Sequence, residues 1–171
     1  EGLTITSKLG INYSAGNSHT YRPEFYYNAQ TNNINSSVSE SASFSTYWQW
    51  ENFASYMKSI EKHNFTVLIG TAVSSSDYKG INASGYPLIK DQESYADLNY
   101  ISSQENSKVG GSRGVDRKLS YFGRVNYDYN NKYLFQATVR RDAAGSSILP
   151  VENRWGTFPS FSAGWVISNE E

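Results

Sequence analysis

Residues 120–142 read SYFGRVNYDYNNKYLFQATVRRD, two alternating runs that meet at a small polar turn. In the first run Tyr121, Val125 and Tyr127, with Gly123 among them, share one face; Ser120, Arg124, Asn126 and Asp128 share the other. In the second run Tyr133, Phe135, Ala137 and Val139 lie together, opposite Lys132, Gln136, Thr138 and Arg140. Side chains of a strand alternate with period two, so each run predicts a strand with one apolar and one polar face. The Asn130-Asn131 pair suits a tight hairpin, because asparagine tolerates the backbone such turns need. What decides the fold is which face is wet. In a soluble sandwich the apolar face looks into a core. In a membrane barrel it looks out into lipid, and the polar face lines a water-filled or plugged lumen.

The same period recurs on both sides of the hairpin. Residues 3–13 (LTITSKLGINY) place Leu3, Ile5, Leu9, Ile11 and Tyr13 on one face and Thr4, Thr6, Lys8 and Asn12 on the other. Residues 44–58 (FSTYWQWENFASYMK) carry two periods. Phe44, Thr46, Trp48 and Trp50 alternate with Ser45, Tyr47, Gln49 and Glu51, while Trp50, Phe53, Ala54, Met57 and Ile60 sit at helical spacing. The Tyr and Trp cluster favours β, so a strand is expected there. Residues 65–73 (FTVLIGTAV) and 160–168 (SFSAGWVIS) complete a set of six strands.

Segments 14–41, 78–118 and 143–159 are rich in Gly, Ser and Asn and read as long loops, whereas 59–63 and 129–131 are short. Long and short connections therefore alternate. A soluble sandwich has no reason to sort its loops this way. An outer-membrane barrel does, with short periplasmic turns and long extracellular loops. The expectation is an all-β chain of about six antiparallel strands in an up-and-down meander, part of a large transmembrane β-barrel. Its first strand would run outward and its last inward, with both termini on the periplasmic side.

Composition narrows the function classes. The net charge of -1 and the lack of a basic cluster give no reason to expect nucleic acid. With no cysteine there is no disulfide framework, Cys-based metal site or thiol chemistry. No apolar run approaches the roughly eighteen residues of a membrane helix. The chain opens Glu1-Gly2-Leu3-Thr4, with neither an initiator Met nor a signal peptide, and reads as a processed chain or an excised fragment. Aromatics are 15% of residues, led by fourteen Tyr, while mean hydropathy is only -0.60. Alternating strands with aromatic girdles have this composition, as do Tyr-rich soluble β proteins.

Catalytic and metal-binding patterns are weak. His19 and His63 are isolated, with no Gly-x-Ser-x-Gly elbow and no His-x-x-x-His spacing. Asp91 with Glu93, or Asp97 with Asp116, could form a carboxylate pair for glycoside hydrolysis, but ordinary loop solvation explains them. The cluster Gly110-Gly111-Ser112-Arg113-Gly114 lacks the ending of a phosphate cradle. No metal, cofactor or enzymatic role is expected. The sequons at Asn12, Asn35, Asn64 and Asn82 would matter in a eukaryotic secretory protein and would be coincidental in a bacterial envelope protein.

The hairpin SYFGRVNYDYNNKYLFQATVRRD and the following NRWGTFPSFSAGWVIS (153–168) resemble the barrel of SusC/RagA-type TonB-dependent transporters. Those proteins carry a Tyr-Phe-Gly-Arg hairpin ending in Arg-Arg-Asp, then Asn-Arg-Trp-Gly, Phe-Pro-Ser and Gly-Trp. YRPEFYYN (21–28), WQWEN (48–52) and His63 with Leu68-Ile69-Gly70 fit more loosely. The loop AAGSSILPVE (143–152) departs from the family's Gly-Ser-Ser-Arg-Phe-Gly pattern, which bears on ligand preference.

The resemblance implies that residues 1–171 are a partial barrel, with a plug domain and the remaining strands of a roughly 22-stranded wall absent. It implies energised import of a nutrient such as a glycan or peptide through the outer membrane of a Gram-negative, Bacteroidota-like bacterium. Its partners would be outer-membrane lipid, a SusD-like lipoprotein and, through the missing parts, the TonB complex. Arg124, Gln136 and Arg140 would face the lumen or plug. Tyr127, Tyr129 and Tyr133 would form the periplasmic aromatic girdle, and Trp155 and Phe158 the outer one. Two competing readings are a soluble β-sheet carbohydrate-binding module, folded in water as a monomer, and a β-sandwich glycosidase.

Overall fold

A computed structural model of the chain describes residues 2–145 and 149–170. Six long strands form one sheet in the order β1-β4-β5-β6-β7-β8, each beside its sequence neighbour among the long strands. They are β1 (Gly2–Arg22), β4 (Ser37–Ile60), β5 (His63–Gly85), β6 (Lys108–Tyr129), β7 (Tyr133–Ala144) and β8 (Trp155–Trp165). Two short strands, β2 (Phe25–Tyr26) and β3 (Asn32–Asn33), make a separate small hairpin. The expected six-stranded antiparallel meander is present, and 44–58 is strand throughout rather than helix.

The strands are longer than the sequence suggests. About half of 14–41 and 78–118, expected as loops, is strand: β1 continues to Arg22, β4 starts at Ser37, β5 continues to Gly85 and β6 starts at Lys108. The Gly110–Gly114 cluster lies within β6 as extended backbone. The difference has a physical cause. Apolar alternation marks a strand only where one face meets something apolar. Where both faces are wet the backbone ladder needs no apolar residue, and hydroxyl contacts such as Ser18 Oγ to Ser41 Oγ at 2.8 Å accompany it. Part of the 143–159 segment also becomes strand, since β7 ends at Ala144 and β8 begins at Trp155. The middle of the AAGSSILPVE loop, 146–148, lies outside the described residues.

The chain falls into two compact units. One comprises 1–12, 47–76 and 115–171, and holds the hairpin. Its turns are tight. The Tyr129 carbonyl accepts from Lys132 N at 2.9 Å across Asn130 (φ 55°) and Asn131 (φ 54°), a turn that needs positive φ at both central positions. Asp128 Oδ1 accepts from Asn131 N at 2.9 Å and braces it. The next turn lies alongside, with Asn130 N donating to the Lys62 carbonyl at 2.7 Å. Beyond β8, Val166 N donates to the Lys132 carbonyl at 2.8 Å and Asn169 Nδ2 to that of Asn131 at 2.8 Å. Pro159, which cannot donate to a ladder, lies on β8, an edge strand of this sheet.

The other unit comprises 13–46 and 77–114. Asn28 Oδ1 accepts from the backbone of Gln30 and Thr31 and shapes the β2–β3 hairpin. Residues 86–107 form three single 3-10 turns pinned by an isolated bridge between Leu88 and Ile101. The buried apolar side chains among the described residues are Val38, Leu88 and Ala96, all in this unit. Among the described residues of the unit that holds the hairpin, no apolar side chain is buried.

Candidate functional site

The register of β6, β7 and β8 assigns every side chain of the hairpin region to a face. On the odd-numbered face the rows are Tyr127, Phe135, Ala163, then Val125, Ala137, Phe161, then Gly123, Val139, Pro159. Nine positions in succession carry no charge; Val125, Phe135, Val139, Pro159 and Phe161 among them are exposed, Phe161 at 70% and Val139 at 49%, while Tyr127 is half-buried. On the even-numbered face the rows are Asn126, Gln136, Ser162, then Arg124, Thr138, Ser160, then Phe122, Arg140, Phe158. This polar face continues onto β5, where a hollow of about 420 Å³ is lined by Asn64, Thr66, Asn126, Asp128, Gln136 and Ser162 among others.

Arg124, Gln136 and Arg140 thus share one face, but the two arginines differ. Arg140 is held in place: its Nε donates to both Asp142 carboxylate oxygens at 2.8 and 3.0 Å, and its Nη2 donates to Ser120 Oγ at 3.0 Å. Its guanidinium also lies 5.8 Å from the Phe122 ring centroid. Arg124 is exposed and forms no ion pair with a described acidic residue. It lines a second hollow of about 340 Å³ with Glu51, Phe53, Leu68, Phe122 and Thr138.

Aromatic residues on this polar face were not anticipated. Phe53 and Phe122 close over Gly70, where an added Cβ would stand 2.7 Å from Phe53 Cβ and 2.5 Å from Phe122 Cζ. Lys8 Nζ lies 5.5 Å over the Phe53 ring. The signal was available, since Phe122 has Arg124's parity, but an apolar residue on a polar face carries no periodic mark.

The aromatic clusters sit at two levels. Near the turns, Tyr129 and Tyr133 stack at 6.3 Å, Tyr127 packs on Phe65 at 4.9 Å, and Tyr133 pairs with Trp165. His63 is half-buried in this cluster, with Nδ1 2.8 Å from the Tyr127 hydroxyl. Glu170, past the end of β8, accepts from Tyr133 Oη, Trp165 Nε1 and Lys132 Nζ, and these donors hold its carboxyl below the usual range. At the far level Trp155 stacks with Tyr121 at 6.0 Å. Phe158 does not join it. It pairs with Arg140 on the even face, because it lies three positions after Trp155 and an odd offset changes face.

The residues considered for catalysis are otherwise engaged. His19 Nδ1 pairs with the Glu40 carboxylate. Asp91 Oδ1 accepts from the Tyr21 hydroxyl at 2.6 Å and from Glu24 N at 3.1 Å. That bond pushes the Tyr21 hydroxyl up to about 12. Glu93 opens a 3-10 turn, Asp97 caps Asn99 N at 2.8 Å, and Asp116 lies 3.6 Å from Lys118. Among the described residues no group of three His, Asp or Glu side chains is placed to hold a metal, and no helix is long and apolar enough to cross a membrane.

No family model matches the chain. TonB-dependent receptor P39 of Formosa agariphila is 30% identical over 172 residues, covering 99% of this chain and 16% of that protein. TonB-dependent receptor SusC of Bacteroides thetaiotaomicron is 28% identical over 98% of this chain and 16% of its own length. Among solved structures, the RagAB peptide transporter superimposes with a TM-score of 0.85 at 23% identity, over 99% of this chain and 18% of that one. The chain therefore spans about a sixth of the length of the curated relatives it matches.

Proposed function

The chain belongs to the TonB-dependent receptors of the SusC/RagA type, and from that membership we propose that residues 1–171 form part of the wall of an outer-membrane transporter. The remaining strands and a plug domain belong to the rest of a longer protein. The odd face of β6–β8 meets lipid; Arg124, Gln136 and Arg140 face the lumen or the plug. Tyr127, Tyr129 and Tyr133 form the girdle at the periplasmic side, and Trp155 belongs to the outer one. The whole protein imports a nutrient such as a glycan or a peptide, captured with a SusD-like lipoprotein and powered through TonB, in the outer membrane of a Bacteroidota-type bacterium. This segment's role is mechanical, as wall and surface, with no bond made or broken.

One observation carries the reading. Nine uncharged positions on three adjacent strands, with Val125, Phe135, Val139, Pro159 and Phe161 exposed, have no buried apolar side chain beside them among the described residues of their unit, while the opposite face carries Asn126, Gln136, Arg124 and Arg140. A soluble sandwich would bury that field; a bilayer covers it. The test is Val125→Arg against Asn126→Arg in the full-length receptor. An arginine facing the bilayer midplane costs about 2–4 kcal/mol. Val125→Arg is expected to reduce the heat-modifiable, assembled form on gels, and Asn126→Arg to leave it near wild type. Equal assembly of the two variants contradicts the assignment of faces.

A further inference from the structure

Arg141 breaks the apolar pattern of the odd face. It pairs with Tyr121 on one side and Thr157 on the other, so its side chain projects on the same face as Val139 and Phe161. β7 is flanked by β6 and β8, and neither places an acid on this face beside Arg141; its diagonal neighbours are Gly123, Leu119, Pro159 and Trp155. Arg141 is exposed and forms no ion pair with a described acidic residue. Its guanidinium rests 5.0 Å over the Trp155 ring, which is itself stacked on Tyr121. An aromatic face orients the guanidinium plane and leaves its edge, with the N–H donors, open. Arg117 lies four residues before Tyr121 on β6, with the same parity and also exposed.

Depth identifies what meets those donors. Arg141 lies eight positions along β7 from Tyr133 in the turn-side girdle. At about 3.4 Å per residue and a strand tilt of about 40°, that is a rise of about 21 Å, close to the ~25 Å height of a barrel's apolar band. Arg141 therefore stands where hydrocarbon gives way to headgroups, on the side away from the tight turns.

We infer that Arg141, held by Trp155 and Tyr121, binds the phosphate of a phosphorylated lipid in the outer leaflet, with Arg117 next above it. A guanidinium fork matches two phosphate oxygens, and an anion is the partner that an outward cation lacks in this stretch of wall. The inference rests on the odd face meeting lipid.

The experiment uses the delipidated full-length receptor in detergent, titrated with monophosphoryl lipid A and followed by native mass spectrometry. Wild type is expected to retain this lipid in preference to its dephosphorylated form. Arg141→Gln should bind it about tenfold more weakly, with Arg141→Lys between, because an ammonium keeps the charge but not the fork. Heat-modifiability must match wild type in both variants. Equal retention by wild type and Arg141→Gln, or of the phosphorylated and dephosphorylated lipids, overturns the proposal. Displacement of the lipid by equimolar inorganic phosphate overturns the lipid as the source. Quenching of a fluorophore at position 139 by brominated acyl chains is read in parallel. Its absence means that the face itself is not lipid-facing, a failure distinct from loss of the headgroup site.

Discussion

Gly70 shows how much a single position depends on its neighbours across the sheet. Its missing Cβ is the space that the Phe122 ring enters while Phe53 closes the other side. The ring can swing, but Phe53 Cβ belongs to a backbone held in its ladder. Gly70→Val is therefore expected to destabilise the full-length receptor by about 1–3 kcal/mol. Adding Phe122→Ala should restore part of that loss, measured as the urea midpoint of unfolding in micelles. If the double variant is no more stable than Gly70→Val alone, the ring is not what fills the gap. Sequence reading could see Gly70 as a weak point in a strand but not the reason for it, because the contact joins residues 52 positions apart. Arg140 and Arg124 make the same point. Parity gave their face, while only the structure separates the arginine tied to Asp142 and Ser120 from the one without an acid.

Strand length is where sequence and structure differ most. Core parts of all six strands were legible, by apolar alternation as in 3–13 or by a β-branched apolar run as in 65–73. Their polar extensions were not, since Ser, Thr, Asn and Gly in a strand wet on both sides resemble a loop. β5 has 23 residues, about twice the 9–11 that a tilted strand needs to cross a bilayer. Connections at the far ends are then fixed by individual polar contacts. Tyr21, well past the apolar run that ends at Tyr13, donates to Asp91 in the 86–107 segment. Ionising Tyr21 would lose its hydrogen bond to Asp91 and set two anions together, so its pKa is raised from 10.0 to about 12. A raised pKa means the tie contributes fully below pH 10 and is lost as pH rises through about 12. In an absorbance difference titration of the full-length receptor, wild type minus Tyr21→Phe should show one tyrosinate forming near pH 12. A midpoint near pH 10 would mean that Asp91 does not hold the hydroxyl in solution.

At the scale of the molecule, the alternation of short and long connections carried the architecture, and it survived the lengthening of the strands. The tight turns at 61–62 and 130–131 remain, and 23–36, 86–107 and 145–154 remain the longer links. Six strands are too few to close a barrel, which takes about eight at the least, and an open edge invites further pairing. Both facts agree with relatives about six times as long. The grouping of the aromatic residues was legible in part. Tyr127, Tyr129 and Tyr133 share a face near the turn, whereas Phe158 was grouped with Trp155 by nearness in sequence and parity separates them.

The claim on which the rest depends is that the odd face of β6–β8 meets lipid and the even face does not. The segment has no cysteine, so single cysteines can be placed at 123–127 and 135–139 of the full-length receptor, other cysteines being replaced, and spin-labelled in liposomes. Collision with oxygen should peak at 123, 125, 127, 135, 137 and 139. Collision with a water-soluble nickel chelate should be greater at the even positions or, where a plug packs, low for both reagents. Nickel accessibility at the odd positions, or a profile without period two, would contradict the barrel-wall assignment.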